Sequence, residues 1–199
     1  MIFTVLEIAL FIVFPLLLFY RSSIWTYKKY VPSIVIIYLI WYFSYAFFHE
    51  LMHLIGNWVF DKTIYEIKLI PEFWKGEFGT AYIRYDYKSD SKDFIIILLP
   101  YARDIILLAI GYLLIIKTNI KNLFTIGLIF AIMILSPLFD IANNYFGYLL
   151  GSMNDFNALG ESGSKFFSHL IGISFFTTAA LTTIFILKDS ILPESKRGV

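Results

Sequence analysis

The segment Phe47 to Asn57 contains the pattern His49-Glu50-x-x-His53 within one of the most apolar parts of the chain. On a helix, residues four apart lie on one face, so both imidazoles can bind a single metal ion. Glu50 lies beside His49, where its carboxylate can take a proton from a metal-bound water. A chance match is the alternative, but such side chains are costly in an apolar segment and are usually kept for function. The pattern therefore predicts a metal site.

Composition places the chain among membrane proteins. Of its 199 residues, 59% are hydrophobic and 20% are aromatic, and long apolar runs recur. We therefore expect an all-α integral membrane protein of one domain, residues 1–199, with about five transmembrane helices. The net charge of +1 gives no reason to expect nucleic acid as a partner. Because the chain has no cysteine, a zinc site must use histidine and carboxylate ligands.

Five apolar runs are the predicted spans: residues 2–20, 31–60, 94–116, 123–150 and 166–187. The first run lacks the basic start and the small-residue cleavage site of a signal peptide, so we expect it to be retained. Arg103 and Asp104 lie deep in the third span and are expected to pair with each other or to face a polar interior. Ser136-Pro137, followed by polar residues, predicts a broken or partly unwound helix that lines a cavity.

Residues 61–93 differ in character from these runs. The segments 63–70 and 80–87 alternate apolar and polar residues and are rich in β-branched and aromatic side chains. Pro71, Gly76 and Gly79 supply turn residues between them. The pattern predicts a small β-hairpin at the membrane surface, after the helix that carries the two histidines. A charged connecting loop is the alternative.

An H-E-x-x-H within a span, a glycine-containing hairpin after it and Leu99-Pro100-Tyr101 opening the next span resemble the site-2 protease family of intramembrane zinc metallopeptidases. The resemblance covers roughly residues 31–160, and only the H-E-x-x-H is specific to the family. It implies that His49 and His53 bind one zinc ion per chain and that Glu50 activates the attacking water.

The same resemblance implies that the hairpin pairs with an extended substrate segment. Gly79, Thr80 and Tyr82 are the candidate contacts there. Asn143 and Asn144 are candidates for contacts with the oxyanion or the substrate backbone. Their alternative role is hydrogen bonding between helices, which we expect for at least one of them.

The family's third metal ligand is an aspartate, and this chain offers two candidates. Asp155, in Asn154-Asp155-Phe156, resembles the Asn/Ser-Asp-aromatic step of a shorter branch of the family, and its position suits the cap of a short helix. Asp140 follows Pro137 by three residues and lies within a span. We favour Asp155 and keep Asp140 as the alternative, with the other aspartate expected to support a ligand.

These features predict a zinc-dependent intramembrane endopeptidase that cleaves transmembrane or membrane-proximal segments of membrane proteins in the lipid bilayer, with the cell membrane as the expected location. One alternative is a gluzincin-like membrane protease with Glu161 as third ligand. Another is a catalytically silent adaptor, or pseudoprotease, that binds transmembrane partners. Inactive relatives typically lose the glutamate or a histidine, whereas this chain keeps all three. His169 is expected to be a packed or interfacial residue rather than a ligand.

Overall fold

The computed structural model describes residues 31–72, 81–118, 120 and 122–191. The predicted first span, residues 2–20, lies outside them, as do residues 73–80 between the two predicted strands. The elements in chain order are α1 (Val31–Val59), β1 (Ile64–Lys68), β2 (Tyr82–Tyr85), α2 (Ser91–Lys117), α3 (Leu123–Phe130), α4 (Ser136–Leu149), α5 (Asp155–Ser162) and α6 (Lys165–Ile191). A π-helical turn, Ala131–Leu135, joins α3 to α4.

Four stretches of helix are long and apolar enough to cross a membrane: Val35–Val59, Ser91–Lys117, Phe124–Leu149 and Lys165–Ile186. Large apolar side chains are exposed on the outside of these helices, as lipid-facing residues are in a helix bundle; examples are Ile36, Ile106, Leu113, Ile173 and Ile184. The helices indicate a multi-pass membrane protein. Four of the five predicted spans are therefore present as helices within the described residues.

The centre of the bundle is α2, which packs against α1, α4, α5 and α6. Its side chains Ile97, Tyr101 and Leu108 belong to the main buried cluster. Phe156 and Leu159 of α5 are fully buried in the same cluster. The short helix α5 is thus held against α2 by apolar packing.

A buried ion pair joins the end of α1 to the start of α2. Asp90 caps α2, because its side chain accepts hydrogen bonds from the backbone N–H groups of Lys92 and Asp93. The Nζ atom of Lys62, just after α1, lies 2.6 Å from Oδ1 of Asp93, and the Asp93 side chain is fully buried. This contact joins the two ends of the segment that carries the hairpin, directly after α1 and at the start of α2.

The break predicted at Ser136-Pro137 is a π-helical turn instead. The backbone N–H of Ser136 donates to the carbonyl of Ala131, five residues back. Pro137 has no N–H to donate and its ring crowds the preceding turn, so a locally wider turn accommodates it without unwinding the helix. Pro137 does line a small apolar cavity between α2, α4 and α6, as the sequence suggested.

The predicted hairpin is present as an antiparallel pair of strands, β1 and β2. Ile67 lies opposite Ile83, and a register irregularity lies between Ile64 and Glu66. Across the strands, the Glu66 carboxylate accepts a hydrogen bond of 2.6 Å from the hydroxyl of Tyr82. Its other oxygen lies 2.9 Å from the Arg84 guanidinium. Charged and aromatic cross-strand pairs of this kind stabilise a short two-stranded sheet.

Candidate metal centre

The two histidines of the H-E-x-x-H pattern lie on one face of α1, as their spacing predicts. His49 and His53 are 8% and 7% exposed, and their ring centroids are 5.0 Å apart. Gly56, one turn further along, allows α1 to lie close to α2, since an added Cβ would come within 2.7 Å of Leu99 Cδ1. The face of α1 that carries the histidines therefore lies close to α2 and to the elements that pack against α2.

Asp155 is the first residue of α5, and its neighbours fix its position. Asn154, not Asp155, caps the helix: its side chain accepts from the Phe156 N–H, and the Asn157 side chain accepts from the Asn154 N–H. Asn154 Nδ2 also donates to the carbonyl of Asn144 in α4, at 2.7 Å. The expected capping role of Asp155 is thus wrong. Since Asn154 satisfies the N–H groups at the start of α5, the Asp155 carboxylate is not needed there, and it lies against the two histidines instead.

The three side chains meet at one carboxylate oxygen. Nε2 of His49 and Nε2 of His53 lie 2.9 and 3.2 Å from Oδ2 of Asp155. Tetrahedral zinc with bonds of about 2.0–2.1 Å holds its ligand atoms roughly 3.3–3.4 Å apart, which these separations approach. Two imidazole nitrogens and one carboxylate oxygen are a donor set that zinc accepts. The residues therefore fit a metal ion of this kind.

Hydrogen bonds at the far ring nitrogens favour the tautomer that such a site needs. Nδ1 of His49 lies 2.6 Å from Oδ2 of Asp140, and Nδ1 of His53 lies 3.1 Å from the carbonyl oxygen of Ile96. Both partners are acceptors, so each Nδ1 carries the proton and donates. The Nε2 lone pairs are then free for a metal, an arrangement that also makes the imidazoles stronger donors.

Asp140 therefore supports a histidine in this structure and is not one of the three converging groups. Its Oδ1 accepts a hydrogen bond of 3.0 Å from Nδ2 of Asn144, and that nitrogen also donates to the backbone carbonyl of Asp140. The Asn144 side-chain amide nitrogen is thus used within α4, on Asp140, rather than between helices, which was the alternative role considered for it. Asn143 is half-buried one residue earlier in α4.

Tyr101 completes the surroundings of Asp155, and sequence reasoning missed it. Its ring is fully buried, and its hydroxyl donates to Oδ2 of Asp155 at 3.0 Å. Burial by itself would raise the pKa of the Asp155 carboxyl, but when no metal is bound the protonated imidazoles of His53 and His49 lower that pKa below its usual value. One tyrosine among fourteen carries no sequence signal for such a role.

The remaining charged candidates occupy distinct places. Glu50 is half-buried beside His49, and within the described part of the chain its carboxylate has no hydrogen-bonding partner. Glu161 is exposed on α5 and does not belong to the converging group. The structure therefore gives no support to Glu161 as third ligand.

The predicted substrate contacts are only partly within the described residues. Gly79 and Thr80 lie outside them, and the Tyr82 hydroxyl is engaged by Glu66 across the hairpin. Nδ1 of His169 lies 3.2 Å from the Tyr145 hydroxyl, as expected of a packed residue.

Arg103 and Asp104 pair with each other, as the sequence predicted: Nε of Arg103 donates to Oδ1 of Asp104 at 2.9 Å. Comparison with protein-family models, with curated proteins and with solved structures finds no match to this chain.

Proposed function

We propose that the protein is a zinc-dependent endopeptidase that cleaves membrane proteins within or close to the bilayer. The observation that carries the proposal is the convergence of His49 Nε2 and His53 Nε2 on Asp155 Oδ2, at 2.9 and 3.2 Å, inside a bundle of membrane-length helices. Buried polar groups of this kind are expensive in an apolar bundle and are retained where they do chemistry.

Zinc is the metal that the donor set favours. Imidazole nitrogen with one carboxylate is a common zinc environment, whereas calcium and magnesium prefer sites made of oxygen alone. Three protein ligands leave a fourth position for water, as in catalytic rather than structural zinc sites. Zinc bound there would make a water nucleophilic near neutral pH and would polarise a substrate carbonyl.

Glu50 is the residue assigned to proton transfer. It follows His49 directly on α1, and its carboxylate is not occupied by another described side chain. It would accept a proton from the attacking water and return it to the leaving amine. The Asp155 side chain is 24% exposed, more than twice either histidine, so the site is accessible from the α5 side.

The hairpin supplies a route for substrate recognition. Within the described residues, the sheet has two strands, so each strand has one edge that is paired and one that is not. An extended peptide can add to an unpaired edge. The Tyr87 hydroxyl, after β2, donates to the carbonyl of Ala158 at 2.9 Å, which ties the hairpin to α5 and hence to Asp155. A substrate strand on this hairpin would lie beside the proposed metal site.

The test uses the purified chain in detergent or nanodiscs. We expect about one zinc per chain in the wild type and much less in Asp155→Ala. Glu50→Gln is expected to keep its zinc and to lose cleavage of a reporter with a helix-destabilised transmembrane segment. A folded wild-type protein without zinc would refute the proposal. Full cleavage by Glu50→Gln would remove the glutamate from the mechanism, and zinc binding without any cleavage would favour the adaptor.

A further inference from the structure

Charged side chains in the middle of the membrane-length helices converge on one place. In α1, α2, α4 and α6, every lysine or arginine except Arg103 lies within four residues of a helix end; these are Lys92, Lys117, Lys165 and Lys188. Arg103 lies in the middle of α2, where an unpaired guanidinium would be costly. A cation at this position needs a specific reason.

The contacts of Arg103 lead towards the proposed metal site. Its Nη2 contacts Oδ1 of Asp104, its neighbour on α2, and lies 3.6 Å from Oδ2 of Asp140. The same Asp140 oxygen lies 2.6 Å from Nδ1 of His49. Arg103 is thus one residue removed from a proposed zinc ligand.

We infer that Arg103 is a positioning residue for the metal site, acting through Asp140 on His49, with Asp104 holding the guanidinium in place. The inference rests on the metal site of the proposed function. Unlike that proposal, it concerns residues that touch neither the metal nor the substrate.

The geometry explains why Asp140 needs two supports. Asn144 holds Oδ1 by a hydrogen bond of 3.0 Å, but a neutral amide does little to offset the charge of a carboxylate buried to 4% exposure. Arg103 supplies that charge at Oδ2, the oxygen that accepts from His49. Removing a charge partner leaves a buried carboxylate uncompensated, and the carboxylate then turns, takes up a proton or draws in water. Each response weakens its hold on the His49 ring.

Asp104 also supports the guanidinium of Arg103, and its side chain lies within hydrogen-bonding reach of Asp140. It is 3% exposed and accepts from Nε of Arg103 at 2.9 Å, so it fixes the guanidinium plane. Without Asp104, the guanidinium would be held only by its contact with Asp140, which is longer, at 3.6 Å. The arrangement Asp104–Arg103–Asp140–His49 is therefore a chain of outer contacts in which each member orients the next.

The test measures metal binding, with no need for a protease substrate. Wild type, Arg103→Met, Asp140→Asn and the double variant are titrated with Co²⁺ followed by visible absorption, and with Zn²⁺ by competition. We expect Arg103→Met to bind about 10- to 100-fold more weakly and to show a shifted Co²⁺ spectrum, as for other outer contacts of metal ligands. The double variant is expected to bind like Asp140→Asn, because Arg103 acts through Asp140.

The matched control is Lys62→Met. Lys62 is also a buried cation, with its side chain 6% exposed and paired with Asp93, but it lies at the end of α1, away from the converging ligands. It is expected to lower thermal stability while leaving the Co²⁺ spectrum unchanged. Should Arg103→Met fail to fold, Arg103→Gln, which drops the charge but keeps donors, is measured in its place.

The outcomes separate this inference from the function. Wild-type affinity in the Arg103 variant, or a loss that adds fully to that of Asp140→Asn, overturns the positioning role and leaves the zinc site standing. An equal loss in Lys62→Met also overturns it, because the effect would then be general destabilisation. A folded wild type that binds neither Co²⁺ nor Zn²⁺ removes the metal site itself.

Discussion

Tyr101→Phe isolates one hydrogen bond of the proposed metal centre. The variant removes only the hydroxyl that donates to Asp155 Oδ2 at 3.0 Å, and the fully buried ring keeps its place without a cavity. A hydrogen bond to a charged acceptor contributes about 1.5–3 kcal/mol. If that contribution serves to hold the ligand oxygen ready for the metal, its loss weakens the zinc Kd about 10- to 100-fold.

The change can also be measured as stability. Zinc at 100 times its wild-type Kd adds about 2.7 kcal/mol to the free energy of unfolding. A variant that binds 100-fold more weakly gains only about 0.4 kcal/mol at the same concentration. Thermal unfolding of both proteins with zinc and with chelator therefore gives the difference independently of the titration.

Tyr145→Phe is the matched control for this experiment. Tyr145 is also buried, its ring packs 5.4 Å from Phe156 beside Asp155, and its hydroxyl pairs with His169 instead of a proposed ligand. We expect its zinc Kd to stay within about twofold of wild type, since no outer contact of the metal is lost. An unchanged Kd in Tyr101→Phe, or an equal loss in both variants, would refute the reasoning.

Two further variants test how the fold positions the site. Asn154→Ala removes the cap of α5 and its bond to α4, so we expect a loss of about 0.5–2 kcal/mol in stability together with reduced zinc content. Gly172→Ala would place a Cβ 2.3 Å from the Tyr145 ring, which predicts about 1–3 kcal/mol of destabilisation in a denaturant titration. Gly127→Ala, whose Cβ would meet only the tip of Ile37 at 3.3 Å, is the control and should be much milder. Equal losses in the two glycine variants would contradict the packing argument.

The features that could be predicted from periodicity are the local ones. The four-residue spacing of His49 and His53 predicts a shared helix face because the helix repeat is 3.6 residues, and no tertiary information is needed. The hairpin followed in the same way from period-two alternation over residues 63–70 and 80–87. Both features depend on residues close together in the chain.

The third member of the cluster depends on tertiary structure. Asp155 is 106 residues from His49, and the sequence alone could not decide between it and Asp140. In the structure, the Asn154 cap determines where α5 begins, and the burial of Phe156 determines which face of α5 packs inward. Together they place Asp155, and not Asp140, between the two Nε2 atoms. Tyr101 was missed for a related reason, because a buried tyrosine looks the same in sequence whether it packs or donates to a ligand.

Formal charge at the cluster gives a further argument for a bound cation. The carboxylates of Glu50, Asp104, Asp140 and Asp155 lie in or beside it, and Arg103 contacts two of them, Asp104 and Asp140. Counted formally, four carboxylates against one guanidinium leave a negative excess that is expensive among apolar helices, and a buried carboxyl such as Asp104 can lower it by holding a proton. A divalent ion at the two histidines would offset most of that excess, while protonation of the imidazoles would occupy the nitrogens that face Asp155. The predicted sensitivity of thermal stability to chelation distinguishes metal binding from protonation as the way in which the charge is balanced, since only metal binding is reversed by a chelator.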